Sequence, residues 1–280
     1  MNLGNRTRKR IRKGIHIVIL SVILFLILIP LWWAVSISFD NSATVKIPEF
    51  RWWPRDTSLR AYEYAFKIIP LLRLYGNTLM ISVINTVISV FSAMCCGYAF
   101  SKGRFFGKKF WYMFMMCVMM IPFESRMVPL YLQYQQWGMI NTYWPLILGN
   151  FAYVFGMIFA TTNISSLPDS LCESASLDGA SRWRIFLQII LPLSKPVIAA
   201  LSILQIISHW NSYLWPMIII RKTDMQMLSV GISYFNATES SRYFSPRMAV
   251  AVMGSIPLII IFLCLQKYIV ESIAMTGIKQ

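Results

Sequence analysis

Acidic residues are scarce in this chain and histidine is nearly absent. Eleven Asp and Glu stand against 26 Lys and Arg, and His16 and His209 are the two histidines. So few ionisable groups fall within apolar stretches that a buried acid/base pair for catalysis has no source. No G-x-x-x-x-G-K-[ST] phosphate loop and no H-E-x-x-H occurs, which removes the usual signatures of nucleotide hydrolysis and zinc chemistry. The five cysteines, Cys95, Cys96, Cys117, Cys172 and Cys264, have neither zinc-like nor disulfide-like spacing and read as small hydrophobes. Internal repeats, low-complexity tracts and a separate second domain are also lacking. The composition argues against an enzyme.

What the chain has in abundance is apolar surface. Of 280 residues 57% are hydrophobic and 13% charged, with a mean hydropathy of +0.57, well beyond a soluble domain. A bilayer core of about 30 Å takes roughly 20 helical residues, and six stretches of that order stand out: 15–38, 77–100, 110–128, 143–161, 196–220 and 249–270. The first follows a basic segment as a signal peptide would, yet it is too long for one and no A-x-A site follows, so it reads as a retained anchor. The expectation is an all-α polytopic membrane protein with six transmembrane helices.

Much of the net charge of +15 sits beside these spans, which suits anionic headgroups and not a nucleic-acid groove. Arg6, Arg8, Lys9, Arg10, Arg12 and Lys13 precede the first span, and "SKGRFFGKK" packs Lys102, Arg104, Lys108 and Lys109 into one tight turn. By the positive-inside rule both termini are cytoplasmic. Residues 40–75 then lie outside, where "WWPRDTSLRAYEYAF" begins with a Pro turn and continues as a short amphipathic helix with Leu59, Tyr62 and Phe66 on one face. Trp52 and Trp53 fit an interfacial aromatic belt. The resulting division is 1–39 (basic segment and first span), 40–75 (extracytoplasmic), 76–270 (five-helix core) and 271–280 (cytoplasmic tail).

One cytoplasmic stretch is out of character: "ESASLDGASRWRIFLQIILPL", within 163–192. Pro168 and Asp169 signal a helix start and Gly179 a stop. Beyond the glycine, Trp183, Phe186, Leu187 and Ile190 recur at helical spacing until Pro192 interrupts. Two short helices therefore meet at a glycine elbow. Ser174, Ala175 and Ser176 give the first a thin face that admits a partner's backbone, and Glu173 can pair with a partner's cation. Composition alone equally allows an interfacial helix covering the ends of neighbouring spans.

The stretch resembles the EAA loop of ABC importer permeases: Glu173-Ser174-Ala175, three residues, Gly179, nine residues, then Ile189-Ile190-Leu191-Pro192. "GYAFSKGRFFGKK", "IPFESRMVPLYLQYQQWGMINTYWPLIL" and "HWNSYLWPMII" are similar to the carbohydrate branch, whose type member is the G subunit of the maltose transporter. The tail departs from the family's glycine-rich ending; only Gly277 and Lys279 align. The resemblance implies a type I ABC importer permease fold and a sugar or oligosaccharide delivered by an extracytoplasmic binding protein. It also implies a second permease subunit, in a heterodimer, and two ATPase subunits that carry the ATP and Mg, no cofactor being bound by this chain. Glu173, Ser174, Ala175, Asp178, Gly179, Ile189, Leu191 and Pro192 would form the coupling element. The alternative solutes are glycerol phosphate, polyamines and amino acids.

Polar residues inside spans are costly and face a cavity or another helix, so Asn77, Asn85, Gln205, His209, Asn211 and Tyr213 are candidates for a substrate path. In "HWNSYLWP", Trp210 and Tyr213 offer ring faces to sugar C–H groups and Asn211 a hydrogen bond. The path is therefore assigned to Trp210, Asn211, Tyr213, Asn85 and Gln205, against the reading that the cluster is aromatic packing at a kink. Glu124 and Arg126 are expected to form an ion pair at the outer mouth. The outside segment 221–245, with Tyr234, Phe235, Tyr243 and Phe244, corresponds to a loop that probes the binding protein in the family.

Overall fold

In the computed structural model, residues 3–41, 49–237 and 244–277 are described; Tyr243 and Lys279 lie outside the described residues. Among these the chain is helical, with a single isolated bridge between Asp40 and Thr57. Four helices are long and apolar enough to cross a membrane, or six if each of two bent pairs counts as one span. The chain divides into two compact units, Met1–Ile69 with Ile232–Ser255 and Pro70–Gly231 with Ile256–Gln280.

In the first unit, α1 (Leu3–Ser38) exposes its apolar side chains from Ile11 to Leu31, as expected of a span whose neighbours are lipid tails. Its end is anchored: Ser36, Ile37 and Ser38 are buried, and Ser38 Oγ lies 2.7 Å from the Tyr62 hydroxyl on α2 (Arg60–Ile68). That bond sets the rotation of α2, so Ala65 and Ile69 turn inward with Tyr62. Leu59 and Phe66, expected on the same face, are exposed instead.

The second unit is organised around α3 (Leu71–Lys102). It packs against α7 (Val154–Ser165) through small residues on both sides. A Cβ on Gly97 would lie 2.5 Å from that of Ala160, and one on Gly156 would lie 2.9 Å from that of Ala93. Ala93 and Gly97, like Gly156 and Ala160, are four apart and form matching small-residue faces; without a hydrophobic driving force in lipid, such close approach is what holds helices together.

Another face of α3 carries a polar stripe, Thr78, Ser82, Asn85, Thr86 and Ser89, all buried. Irregular backbone at membrane depth must find partners within the protein, and this stripe supplies several. Asn77 Nδ2 donates to the carbonyls of Asp224 (2.9 Å) and Gln226 (3.0 Å), and Thr78 Oγ1 accepts from the Leu228 amide. Asn85 Nδ2 donates to Leu146 O (2.9 Å), and Ser89 and Ser92 donate to the carbonyls of Asn150 and Phe151. The stripe thus holds two broken segments. The first is α6 (Trp144–Leu148) with the 3₁₀ turn Gly149–Phe151, and the second is the loop before α13 (Leu228–Ala237).

The expected third span is a pair, α4 (Lys108–Met119) and α5 (Phe123–Gln136), bent by 93°. Pro122 lacks an amide hydrogen and disfavours helical geometry at Ile121, so the helix stops there. Among the described residues Glu124 and Arg126 form no ion pair with each other or with a third residue; the Arg126 guanidinium lies 6.0 Å from the Phe123 ring centroid. The expected pairing is corrected accordingly: in a helix, residues two apart point to different sides.

The fifth span also differs from its expected bounds of 196–220. α11 (Lys195–Trp210) ends at Trp210, and α12 (Leu214–Ile219) restarts after an irregular turn. The last helix, α14, covers Phe244–Gly277.

Candidate functional site

α8 (Asp169–Leu177) begins directly after Pro168, and none of its residues is buried. Glu173, Ser174, Asp178 and Gly179 are exposed, and Leu177 is 89% exposed, while Cys172 and Ala175 touch the core beneath. The helix stands proud of the body. Its C-terminus closes in a Schellman motif: the Ala180 amide donates to Ala175 O at 3.0 Å and the Gly179 amide to Ser176 O at 3.1 Å. Gly179 sits at φ +79°, a left-handed geometry that glycine adopts without penalty. The expected elbow is present.

Beyond the elbow the chain turns from exposed to rooted. Ser181 caps α9 (Arg182–Ile185) by accepting from the Arg184 amide, and a π-helical turn, Phe186–Ile190, follows before α10 (Leu191–Leu193). Ile185, Phe186 and Ile190 are buried with Val90, Met94, Ala160, Ile164, Val197 and Leu201. The expected inward face of Trp183, Phe186, Leu187 and Ile190 is therefore half right: Trp183 and Leu187 are exposed. The π turn explains the difference. Its i→i+5 bond, from the Leu191 amide to Phe186 O, admits one extra residue per turn and brings Ile185 into line with Ile190. Pro192 sits in the first turn of α10, where its missing amide hydrogen is no loss, and the expected interruption falls at Ser194 instead. Of the motif's later residues, Ile189 and Leu191 pack against this core and Pro192 is exposed.

The entry to α8 is stapled as well. Lys102, at the end of α3, donates from Nζ to Leu167 O at 2.7 Å and to the Asp169 carboxylate. Lys108 Nζ donates to the carbonyls of Ser101 and Gly103, 3.0 Å each. Lys108 thus covers the negative end of α3, a placement contributing about 0.3–1 kcal/mol.

The Lys102 hydrogen bond, followed by its charge, holds the Asp169 carboxyl below the usual range. A depressed carboxyl favours the tied state above its ordinary pKa, and the tie is lost only as pH falls through the lowered value. Between pH 6 and 8 it is fully formed. We expect amide exchange of residues 169–177, corrected for intrinsic rates, to be unchanged over that interval and to quicken several-fold in Lys102→Met; unchanged protection in that variant would show the staple to be idle.

The residues assigned to the substrate path separate into two groups. Trp210 is buried with its ring 6.2 Å from that of Tyr75, Gln205 is buried within α11, and Tyr213 packs against the core around Ile219 and Met227. Asn211 is exposed at the end of α11. Asn85 lines a cavity of about 250 Å³ together with His209, Asn150, Ser208, Ser212 and Trp215. The last four were not singled out, although "GN" after "WPLIL" and the hydroxyls beside His209 are legible as polar groups within apolar runs. Among the described residues no group of three His, Cys, Asp or Glu could hold a metal ion.

The family model for binding-protein-dependent transport system inner membrane components matches residues 85–275. The arabinooligosaccharides transport system permease protein AraQ of Halalkalibacterium halodurans is 32% identical over 73% of each chain. The galactooligosaccharides transport system permease protein GanQ of Bacillus subtilis is 31% identical over 98% of each. A chain from the crystal structure of a bacterial ABC transporter involved in the import of the acidic polysaccharide alginate superposes with a TM-score of 0.82 at 26% identity, covering 94% of this chain and 98% of that one.

Proposed function

Because the chain belongs to the family of binding-protein-dependent transport system inner membrane components, we propose that it is the permease subunit through which an ABC importer takes up a neutral sugar or oligosaccharide. The chain is a transport component and not an enzyme. An extracytoplasmic binding protein delivers the sugar, a second permease subunit completes the pathway, and two ATPase subunits with their ATP and Mg drive it. Both termini are cytoplasmic in this reading. Residues 1–39 anchor, 40–75 lie outside, 76–270 form the core and 271–280 the tail.

The observation that carries the coupling role is the contrast along 169–190: an exposed helix, a left-handed glycine, then a root of three buried side chains. A short rigid helix fixed at both ends passes on a rotation that a slack loop would absorb. Glu173 stands exposed on that helix for a basic residue of the ATPase. Ser174, Ala175 and Asp178 give the thin docking face, Gly179 the elbow, and Ile189, Leu191 and Pro192 the join to α11.

Two relatives are named for arabinooligosaccharides and galactooligosaccharides. The residues around the cavity carry no Asp, Glu, Lys or Arg, which supports a neutral solute over glycerol phosphate, a polyamine or an acidic sugar. Purification in mild detergent, identification of the copurifying subunits and a thermal-shift screen of the binding protein among them tests the proposal. A sugar should raise the binding protein's melting temperature; stabilisation by a charged solute alone would overturn the sugar assignment.

A further inference from the structure

We infer that the seam between α4 and α7 seats one anionic phospholipid, its phosphate against Lys108 and Lys109 and an acyl chain along the methionines of α4. This goes beyond the sugar reading and shares with it only the cytoplasmic placement of residues 101–109.

Two grooves meet on the seam. The first, of about 610 Å³, is lined by Lys108, Lys109 and Tyr112 from α4 and by Thr161, Thr162 and Ser165 from α7, with Phe100 beside them. The second, of about 720 Å³, is lined by Met113, Met116, Met119, Met120 and Ile158. Lys109 and Tyr112 belong to both, so a polar, cationic head opens into an apolar trough. A phospholipid has the same two parts. The four methionines are exposed, and their flexible thioether chains can follow an irregular hydrocarbon.

The trough has the depth of one leaflet. At about 1.5 Å per residue the 12 residues of α4 rise about 18 Å, against about 15 Å for half of a hydrocarbon core. The chain then bends by 93° into α5, and the trough goes no further than Met120. A straight span would wall both leaflets, whereas this one ends where a single acyl chain does.

Charge selects the headgroup. No Asp or Glu lines either groove, and among the described residues neither lysine forms an ion pair. Lys108 Nζ gives two of its three hydrogens to the carbonyls of Ser101 and Gly103 and keeps one. Lys109 is exposed. A phosphate can accept from both ammonium groups. The competing occupant is a helix of another membrane subunit, and with residues 101–109 cytoplasmic its neighbouring end would carry Lys and Arg by the same bias, setting cation against cation. An anionic lipid is drawn to such a cluster and neutralises it.

Lys109→Gln removes the exposed cation and leaves the Lys108 bonds at the end of α3 in place. Arg104→Gln, on the same turn but lining neither groove, is the control of equal charge. The intact importer is reconstituted in phosphatidylcholine vesicles containing a phosphatidylglycerol whose acyl chain ends in a diazirine. Adducts are mapped by mass spectrometry, and a phosphatidylcholine with the same chain is run in parallel. In a further variant p-benzoylphenylalanine replaces Met116 and its crosslinked partner is identified.

The expected result is phosphatidylglycerol adducts on peptides containing Met116, Met119 or Met120. They should be about fivefold weaker in Lys109→Gln, the share of affinity that one lysine contributes at a membrane surface, and unchanged in Arg104→Gln. Equal labelling by the two lipids, or equal loss in the two variants, would reduce the seam to ordinary lipid contact and overturn the seat. Crosslinking from position 116 to the second permease subunit in place of lipid overturns it too. Each of these leaves the sugar importer standing, and a reversed orientation would change the leaflet named without changing the adducts.

Discussion

Glu173→Lys is expected to give a protein that accumulates in the membrane at the wild-type level, purifies without its ATPases and imports no measurable sugar. The first half follows from exposure. Glu173 is on the open face of α8, a helix with no buried residue, so reversing its charge removes no packing, and surface substitutions of this kind change stability by about 0.5 kcal/mol or less. The second half follows from the docking role. Replacing an attraction with a like-charge contact at a closing interface costs several kcal/mol, and each 1.4 kcal/mol is about tenfold in affinity.

Gly179→Asp should act at the same place by another route, adding a side chain at φ +79° where the partner's surface must pass. Among the described residues nothing lies within 4 Å of the Cβ it would introduce, so the local cost is the left-handed backbone, about 1–2 kcal/mol, and the larger loss would be in coupling. Uptake and ATPase copurification measured side by side separate the outcomes. Normal uptake from both variants would remove α8 from the coupling role, whereas loss of the protein itself would mean that α8 is structural.

The two short helices and the glycine elbow between them were readable in advance because their signals are local. A proline, an acid and a glycine at set distances announce a start and a stop, and the Schellman bonds from Gly179 and Ala180 are what such a glycine is for. The facing of the next segment was misjudged at Trp183 and Leu187 because a 3.6-residue period was assumed through a stretch that turns more slowly. Periodicity has no term for a π turn. Likewise Leu59 and Phe66 have the spacing of an inward face, but the rotation of α2 is decided by a hydroxyl contact with Ser38, more than twenty residues upstream in the chain.

The substrate path shows the same limit. A polar residue in a span announces that it needs a partner and does not say which. Asn77 finds two carbonyls across the fold, and Asn85 bonds Leu146 through Nδ2 while its buried Oδ1 has no hydrogen bond. The small-residue faces, Ala93-x-x-x-Gly97 and Gly156-x-x-x-Ala160, have a spacing with a stated meaning in membranes and were not singled out from the sequence.

Those faces carry the largest expected effect on folding. Gly97→Leu should reduce the amount of folded protein to less than about a tenth of wild type, with the remainder melting many degrees lower in detergent. A Cβ at Gly97 would lie 2.5 Å from Ala160 Cβ and 3.0 Å from both the Ala160 carbonyl carbon and the Thr161 amide nitrogen. Two of these three obstacles are backbone, so no rotamer change clears them, and α3 and α7 must move apart. Overpacking costs about 1–3 kcal/mol where side chains can yield, and here the remaining bulk of leucine has to fit as well.

The displacement would reach further than the contact itself, because Ala160 belongs to the same buried cluster as Phe186 and Ile190, the root of the segment beyond the Gly179 elbow. Gly97→Ala is expected to be milder and to be partly rescued by Ala160→Gly, which removes the 2.5 Å contact and leaves the two at 3.0 Å. A double-mutant cycle on melting temperature isolates that coupling. If Gly97→Leu melts with the wild type, the close approach of α3 and α7 does not hold the core together; if Gly97→Ala is unaffected by the second substitution, the strain lies in the backbone contacts alone.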